Sequence, residues 1–433
     1  MSTGLQKKSG MCFFQSTGLP PNSREDQVRR KRPLNPMLIL ADALVSAPDR
    51  VLRPGRLRVS GRRILEAGAN LRPKNDEEIL ELPGITLAAG FLNLHAHLEL
   101  APLHGKIPHA LPFAGWLRQI LSLLPGLHST ARTSSILESS RKAAETGTTT
   151  VLTILSDPAA LAGLAGTLPR IWWALEFMDL HGDPGPARQM ERLAAWLSRH
   201  PGADWKAALS PHAPYSASPG LYRECARLAS ELHLPFTTHW AESPEEEELF
   251  RSGGGPLRQL LPQSWAHGKL SERLESMPPA SLVAHGNHPA ETDFPILSAR
   301  DCVAVHCPTS HAWFGRQPFP LQRFRQHRLP VVLGTDSPAS SDNRCFDLRL
   351  EARTFHQTHP QVPYAEIWPM LTTLPAKALG QEGILGSLQP GAEADWVGWK
   401  VDPSADPAAA ILTSTDPAEI ISVAGRLHRP ERI

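Results

Sequence analysis

The segment Gly90–Leu100 reads GFLNLHAHLEL, an apolar run of strand length interrupted by His95 and His97. In a strand, residues i and i+2 point to the same face, so both imidazoles are expected to project into one space. Neutral imidazoles converging on a point suit a divalent metal. Two satisfied core histidines are the plainer alternative, and the rest of the chain has to decide.

Working outward, runs of similar length recur: TTTVLTI at 148–154, RIWWALEF at 170–177, WKAALS at 205–210 and PFTTHW at 235–240. SLVAH follows at 281–285, CVAVHC at 302–307 and PVVLGTD at 330–336. Between them lie helical patterns such as ARTSSILESSRKAAETG, ARQMERLAAWLSRH, LYRECARLASELH and EEEELFRSGG. Strand–helix alternation argues for a parallel sheet. With FLNLH at 91–95 the strands match a TIM-like (β/α)8 barrel, an α/β fold, in number and length. No GxGxxG follows the first strand, as a dinucleotide-binding open sheet would require.

The polar residues of these runs gather at one end. His95 and His97 close the first strand, His212 follows the fourth and His239 lies in the fifth; His285 ends the sixth and Asp336 the eighth. The C-terminal edge of the strands is where barrel enzymes build their sites. Scattered structural histidines would not favour one edge.

Three imidazoles and one carboxylate (His95, His97, His239 and Asp336) would leave an open position on a catalytic metal. Such an ion brings the pKa of water down to about 7. Glu242, three residues after His239, is placed to carry a proton to a ring nitrogen or leaving group. His285 would hydrogen-bond the attacking hydroxide or the developing charge, and Asp336 would both ligate and accept a proton. The donor set suits zinc, with iron(II) as the other candidate.

Composition narrows the class. At 433 residues, with 41% hydrophobic and 20% charged side chains, the chain can bury a large core. A net charge of +1 gives no general attraction to nucleic acid or anionic membrane. The 42 prolines are about twice the usual share and are spread among apolar runs, which implies rigid loops. Cys12, Cys225, Cys302, Cys307 and Cys345 are odd in number and form no CxxC pair, so a reducing, cytoplasmic setting is expected. No apolar stretch has the length of a transmembrane helix.

Residues 1–36 carry the basic cluster RRKRP and no signal-peptide pattern. They are expected to be a disordered basic extension, with ordered sequence starting at Met37. From there, short period-2 runs punctuated by Gly and Pro suggest a β-rich unit. The same texture returns in GSLQPGAEADWVGWK and EIISVAGRLHRP, so the two ends are expected to meet as one small domain.

Taken together, GFLNLHAHLE, PHAPYSAS, TTHWAESPEE, VAHGNH, HCPTSH and LGTDSPASSDN resemble the amidohydrolase superfamily, in its branch of nucleobase deaminases and triazine chlorohydrolases. The likeness runs from Met37 to the C-terminus. It implies a barrel at 90–385 and a β-sandwich made from 37–89 plus 386–433. It also implies one metal ion held by His95, His97, His239 and Asp336, a proton shuttle at Glu242, and a hydroxide-contacting His285. No lysine stands at a strand end to bridge two metals. NLHAHLELAPLHGKIP and CPTSHAWFG look most like the group containing aminodeoxyfutalosine deaminases. The implied reaction is therefore deamination of an aminopurine-type compound. Hydrolytic dechlorination, or opening of a cyclic amidine or imidazolone, is the alternative on the same metal. Members of the family often form dimers, so a homodimer is an assembly to expect, with a small heterocycle as the ligand.

Two departures stand out: Thr309 where an arginine is frequent, and no evident acid after the second barrel strand unless Asp157 serves. His212 is expected to orient the substrate ring, Glu99 to meet a ribose or amine, and His311 and Trp313 to line the pocket. His306 reads as a structural strand-end residue, His104, His109 and His288 as loop histidines, and Cys302 and Cys307 as small buried hydrophobes. Glu245–Glu248 read as the solvated first turn of a helix, and Trp172 and Trp173 as core or interface bulk.

Overall fold

The structure is a computed structural model. It describes residues 36–430 apart from 48, 110, 163, 165–167, 181–187, 189, 190, 192–194, 196, 197, 200–204, 263–268 and 403–405. The expected basic extension thus lies outside the described residues except at residue 36, as does most of the helix expected over 187–200.

Five strands open the chain: β1 (Met37–Ala47), β2 (Arg50–Leu52), β3 (Gly55–Ser60), β4 (Arg63–Gly68) and β5 (Glu78–Ala89). Eight more follow: β6 (Phe91–Ala96), β7 (Thr148–Leu155), β8 (Arg170–Phe177), β9 (Trp205–Pro211), β10 (Thr237–Trp240), β11 (Leu282–His285), β12 (Val303–His306) and β13 (Val331–Leu333). Then come β14 (Trp396–Trp399), β15 (Ile420–Val423) and β16 (Arg426–His428). Every strand expected from the apolar runs is present.

β6–β13 form two four-stranded parallel sheets, β6-β7-β8-β9 and β10-β11-β12-β13. β6, β7 and β10–β13 are buried along their whole length, as parallel strands covered on both faces should be. The two sheets meet at both outer edges. A parallel bridge pairs Leu209 with Phe236, and another pairs Ala96 with Asp336. At the second seam the N–H groups of Thr335 and Asp336 both donate to the carbonyl of His95, at 2.9 and 3.0 Å. Leu92, Leu94, Leu152, Ile154, Trp172, Leu282, Val303 and Val332, from both sheets, share one buried cluster. Phe91, Val151, Ile171, Trp173, Val283 and Val331 belong to another, packed with the surrounding helices.

The helices begin where the sequence provides caps. The Ser218 side chain accepts from Leu221 N–H at the start of Pro219–Leu232, and Ser243 does so from Glu246 at the start of Pro244–Ser252. Each has proline in its first turn, where a missing N–H costs nothing.

Both chain ends enter one eight-stranded sheet, in the order β16-β15-β14-β5-β1-β3-β4 with β2 on β1. β1 and β5 run parallel and the other pairs antiparallel. Ile39, Leu57, Ile64, Leu87, Trp396 and Ile420 form its own core. A buried ion cluster ties this unit to the parallel sheets: Arg170, the first residue of β8, lies 3.1 Å from Asp395 and 3.3 Å from Glu393.

Candidate metal centre and cavity

β6 is not the flat strand that the HxH spacing suggests. Asn93 pairs with Val151 and Ala96 with Thr153, so three steps on β6 match two on β7. Such a bulge re-aims side chains, and here it directs His95. Gly334 makes room for it: a Cβ on Gly334 would sit 2.9 Å from the Cβ of His95 and from Val305 Cγ1. Asn93 Nδ2 donates to Thr335 Oγ1 at 2.7 Å, which fastens the bulge to the end of the last strand.

Around this point the imidazoles of His95, His97, His239 and His285 gather with Asp336. Ring centroids lie 4.8 Å apart for His95 and His239, 5.1 Å for His95 and His97, and 5.2 Å for His95 and His285. His97 Nε2 is 3.3 Å from His239 Nε2. Asp336 Oδ1 is 3.6 Å from Nε2 of both His95 and His97. Neighbouring groups set each donor. His239 Nδ1 lies 2.8 Å from the His212 carbonyl, which keeps its proton on Nδ1 and a lone pair on Nε2. Asp336 Oδ2 accepts from Ser310 Oγ at 2.6 Å and Ser340 Oγ at 3.2 Å, turning Oδ1 to the histidines. His285 and Asp336 both have left-handed backbones, with φ of 74° and 55°. This is an uncommon conformation for such residues.

The donor set fits a metal ion. Both ring nitrogens of His95 are buried with no hydrogen-bond partner among the described residues, a state that core histidines rarely keep. Burial, then the neighbouring imidazoles, hold His97 well below its ordinary pKa, and burial brings His239 down to about 4. The His97 and His239 rings are therefore neutral. Neutral imidazoles around a carboxylate match the chemistry of zinc ligation.

His97, His239 and Asp336 of this cluster form the floor of a cavity of about 180 Å³. Glu242 and His285 share that floor, with His285 Nε2 3.7 Å from Glu242 Oε2. Burial raises the Glu242 carboxyl well above its ordinary pKa, against the pull of Arg316. One wall is acidic. Glu99 Oε1 accepts from Ser156 N–H at 3.0 Å and Ser156 Oγ at 2.5 Å and pairs with Arg132 at 3.1 Å, while Oε2 has no hydrogen-bond partner among the described residues. Glu176, at the end of β8, stands beside it, 3.9 Å from His212 Nε2. Burial and the Glu99 carboxylate push Glu176 up to about 8. The opposite wall is apolar, built from Phe113, Trp116, Leu117, Ile120 and Leu121 of the helix Phe113–Leu123, with Leu260 and Leu261.

The structure brings together His95, His97, Glu99, His212, His239, Glu242, His285 and Asp336. It sets His311 and Trp313 outside the cavity. His311 has both ring nitrogens engaged, Nδ1 at 2.9 Å from Asn287 Oδ1 and Nε2 at 2.7 Å from the Gln317 carbonyl. Asn287 Nδ2 in turn donates to the Glu242 carbonyl at 3.1 Å. Trp313 packs behind the apolar wall against Leu100, Leu103 and Ile120. Asp157 caps a short turn, accepting from Ala159 N–H and Ser129 Oγ, and supplies no cavity acid. Glu246 is not solvated: it is buried, and its Oε2 accepts the Glu242 N–H at 2.9 Å. Thr309 donates to Glu351 through N–H and Oγ1, and His306 stacks on Phe319 in the core.

Glu176 escaped the sequence reading, although it ends a barrel-type strand just as His285 does. Arg316, 3.8 Å from Glu242 Oε1, left no signal in the sequence. The four described cysteines are free. No helix among the described residues is long and apolar enough to cross a membrane.

Comparison with known proteins gives three kinds of likeness. The amidohydrolase family model matches residues 86–424. The sequence is 27% identical over 334 residues to a 5-methylthioadenosine/S-adenosylhomocysteine deaminase of Pyrococcus furiosus, covering 73% of this chain and 75% of that one. It is 28% identical over 365 residues to an aminodeoxyfutalosine deaminase of Deinococcus radiodurans, covering 75% and 81%. Among solved structures, the zinc complex of an atrazine chlorohydrolase from Arthrobacter aurescens superimposes with a TM-score of 0.71 at 21% identity. That match covers 90% of this chain and 94% of the other.

Proposed function

This chain belongs to the amidohydrolase family, and from that membership we propose that it removes ammonia from an aminopurine-type nucleoside, with aminodeoxyfutalosine and 5-methylthioadenosine as the leading compounds. The observation that carries the reading is the meeting of His97, His239 and Asp336, with His95 packed against them, beside Glu242 and His285 at one cavity. His95, His97, His239 and Asp336 would hold a single divalent ion, zinc by likeness to the chlorohydrolase complex. That ion supplies Lewis acidity and lowers the pKa of water towards neutrality.

The chain's own groups do the rest. Glu242, buried and with a raised pKa, accepts a proton from water and delivers it to the ring nitrogen beside the reacting carbon; it then takes the second proton of that water, from the hydroxyl now on the carbon, and delivers it to the amine as the carbon–nitrogen bond breaks. His285, 3.7 Å from Glu242, faces the same space and stabilises charge on the attacking oxygen. His212 orients the heterocycle. Glu99 offers Oε2, which has no hydrogen-bond partner among the described residues, to hydroxyl groups of the nucleoside. The apolar wall of Phe113–Leu123 excludes water and receives a nonpolar substituent.

The architecture we infer is one (β/α)8 barrel over 90–385, supported by the two parallel bridges that join the sheet edges. The end segments, 37–89 and 386–433, form its β-sandwich companion, supported by their shared core. A cytoplasmic setting is supported by the free cysteines, and a homodimer by the habit of the family.

Ammonia release by the zinc-loaded chain tests the reading. The panel is aminodeoxyfutalosine, 5-methylthioadenosine, adenosine, guanine and a chlorotriazine, with chelated and Glu242→Gln controls. Metal-dependent ammonia from an adenine nucleoside, lost in the variant, is expected. Chloride from the triazine without ammonia from any other compound would replace deamination with dechlorination.

A further inference from the structure

Behind Glu242 lies a cation that the chemistry described so far does not use. The helix Pro308–Trp313 ends at Phe314, and Gly315 turns the chain back through a left-handed conformation, φ 63°. This sends Arg316 into the interior, where its side chain is 5% exposed. The guanidinium carbon sits 4.1 Å over the Phe314 ring. Phe314 is itself wedged against Phe113 and Trp116. Nη1 and Nη2 have no hydrogen-bond partner among the described residues. The nearest counter-charge is Glu242 Oε1, 3.8 Å from Nη2, while Oε2 of the same carboxyl faces His285.

Burying a guanidinium without hydrogen bonds is costly. A methionine would fill the place beside Phe314 without that cost. The charge therefore has to be explained by what it faces. It does not face the cavity, whose lining omits Arg316, so it does not touch a substrate.

We propose that Arg316 is the positioning residue of Glu242: it holds Oε1 from behind, so that Oε2 alone faces His285 and the cavity and carries the proton. A carboxyl free to rotate would spend part of its time with neither oxygen in line, and proton transfer is sensitive to that alignment. Arg316 also keeps a positive charge beside Glu242 each time the proton has been handed on. This inference rests on Glu242 being the proton carrier.

The experiment uses the full-length, zinc-loaded chain with 5-methylthioadenosine as substrate. Arg316→Met and Arg316→Lys are made alone, and Arg316→Met is also combined with Glu242→Gln. Zinc content and thermal melting verify that each variant is folded and loaded. Arg316→Met is expected to lower kcat about 100-fold, with KM changed less than about 3-fold, and Arg316→Lys to recover at least about a tenth of the lost rate. In the Glu242→Gln background the Met substitution is expected to cost less than about 3-fold, because residues acting as a unit are not additive. An equal loss in both backgrounds, a change confined to KM, or an unaltered kcat would overturn the proposal. Full activity of Glu242→Gln would instead overturn the reading of Glu242 itself. A crystal structure of Arg316→Met adds a readout independent of turnover. The Glu242 carboxyl is expected to leave its place opposite His285, and a carboxyl found unmoved counts against the proposal.

Discussion

Ser310 holds Asp336 by one oxygen and leaves the other for the imidazoles: Ser310 Oγ donates to Oδ2 at 2.6 Å, while Oδ1 lies 3.6 Å from both His95 and His97. Groups that orient a ligating side chain typically contribute 10–100-fold to metal affinity. Ser310→Ala should therefore weaken zinc binding by about 10-fold or more with little change in melting of the metal-free chain. Competition with a chelator of known affinity measures it, and unaltered affinity would remove Ser310 from the account.

Gly334 faces His95 closely enough that a methyl group has no room, 2.9 Å from its Cβ. Overpacking of this kind costs about 1–3 kcal/mol. Gly334→Ala is expected to lower stability within that range and to reduce zinc per chain, because His95 is the side chain that must give way. Denaturant unfolding and metal analysis of one preparation report both, and a stable, fully loaded variant would contradict the packing argument.

Much of this arrangement was legible in the sequence, for a physical reason. Parallel strands buried on both faces read as apolar runs, so FLNLH, TTTVLTI and SLVAH stand out without any alternation to decode. Polar residues at their C-terminal ends interrupt those runs, and His95, His239, His285 and Asp336 are visible as interruptions. What was hidden depends on tertiary position. Glu246 lies in an acidic run that looks solvated, yet the turn at Ser243 folds it back onto the Glu242 N–H. His311 follows a motif that suggests the pocket, but the helix Pro308–Trp313 points it at Asn287. Trp313 belongs to the cluster behind the helix Phe113–Leu123, whose own place is fixed by a distant partner, the Ala339 carbonyl accepting from Trp116 Nε1. Arg316 looks like any loop arginine until Gly315 turns it inward.

Arg170 joins β8 to the terminal sheet through Asp395 and Glu393, all three side chains being buried. Removing one partner of a buried ion pair leaves the rest uncompensated, at about 3–5 kcal/mol. Arg170→Met should lose about that much in urea unfolding yet keep zinc binding at 25 °C, because the cluster lies at the N-terminal end of the strand. A loss below about 1 kcal/mol would mean that the two units do not depend on this contact.

Glu176 predicts a direction for the pH dependence of stability. Burial and Glu99 raise its folded pKa to about 8, from an ordinary 4.5, with Arg132 opposing. Between those values the folded chain keeps a proton that the unfolded chain has released, so this group favours folding more as pH falls from about 8 towards 4.5. The slope is at most about 1.4 kcal/mol per pH unit. Glu176→Gln should flatten the stability curve over that window, as read by urea unfolding at several pH values. Parallel curves for the two proteins would place the Glu176 pKa near its ordinary value.

The central claim is that His95, His97, His239 and Asp336 hold one ion. Anomalous diffraction at the zinc edge, from crystals of the zinc-loaded chain, tests it most directly. The account predicts a single peak about 2.0–2.2 Å from a nitrogen of each histidine and an oxygen of Asp336. A peak held instead by Glu176 and His212, two peaks of equal height, or no peak in a chain that binds zinc in solution would contradict it.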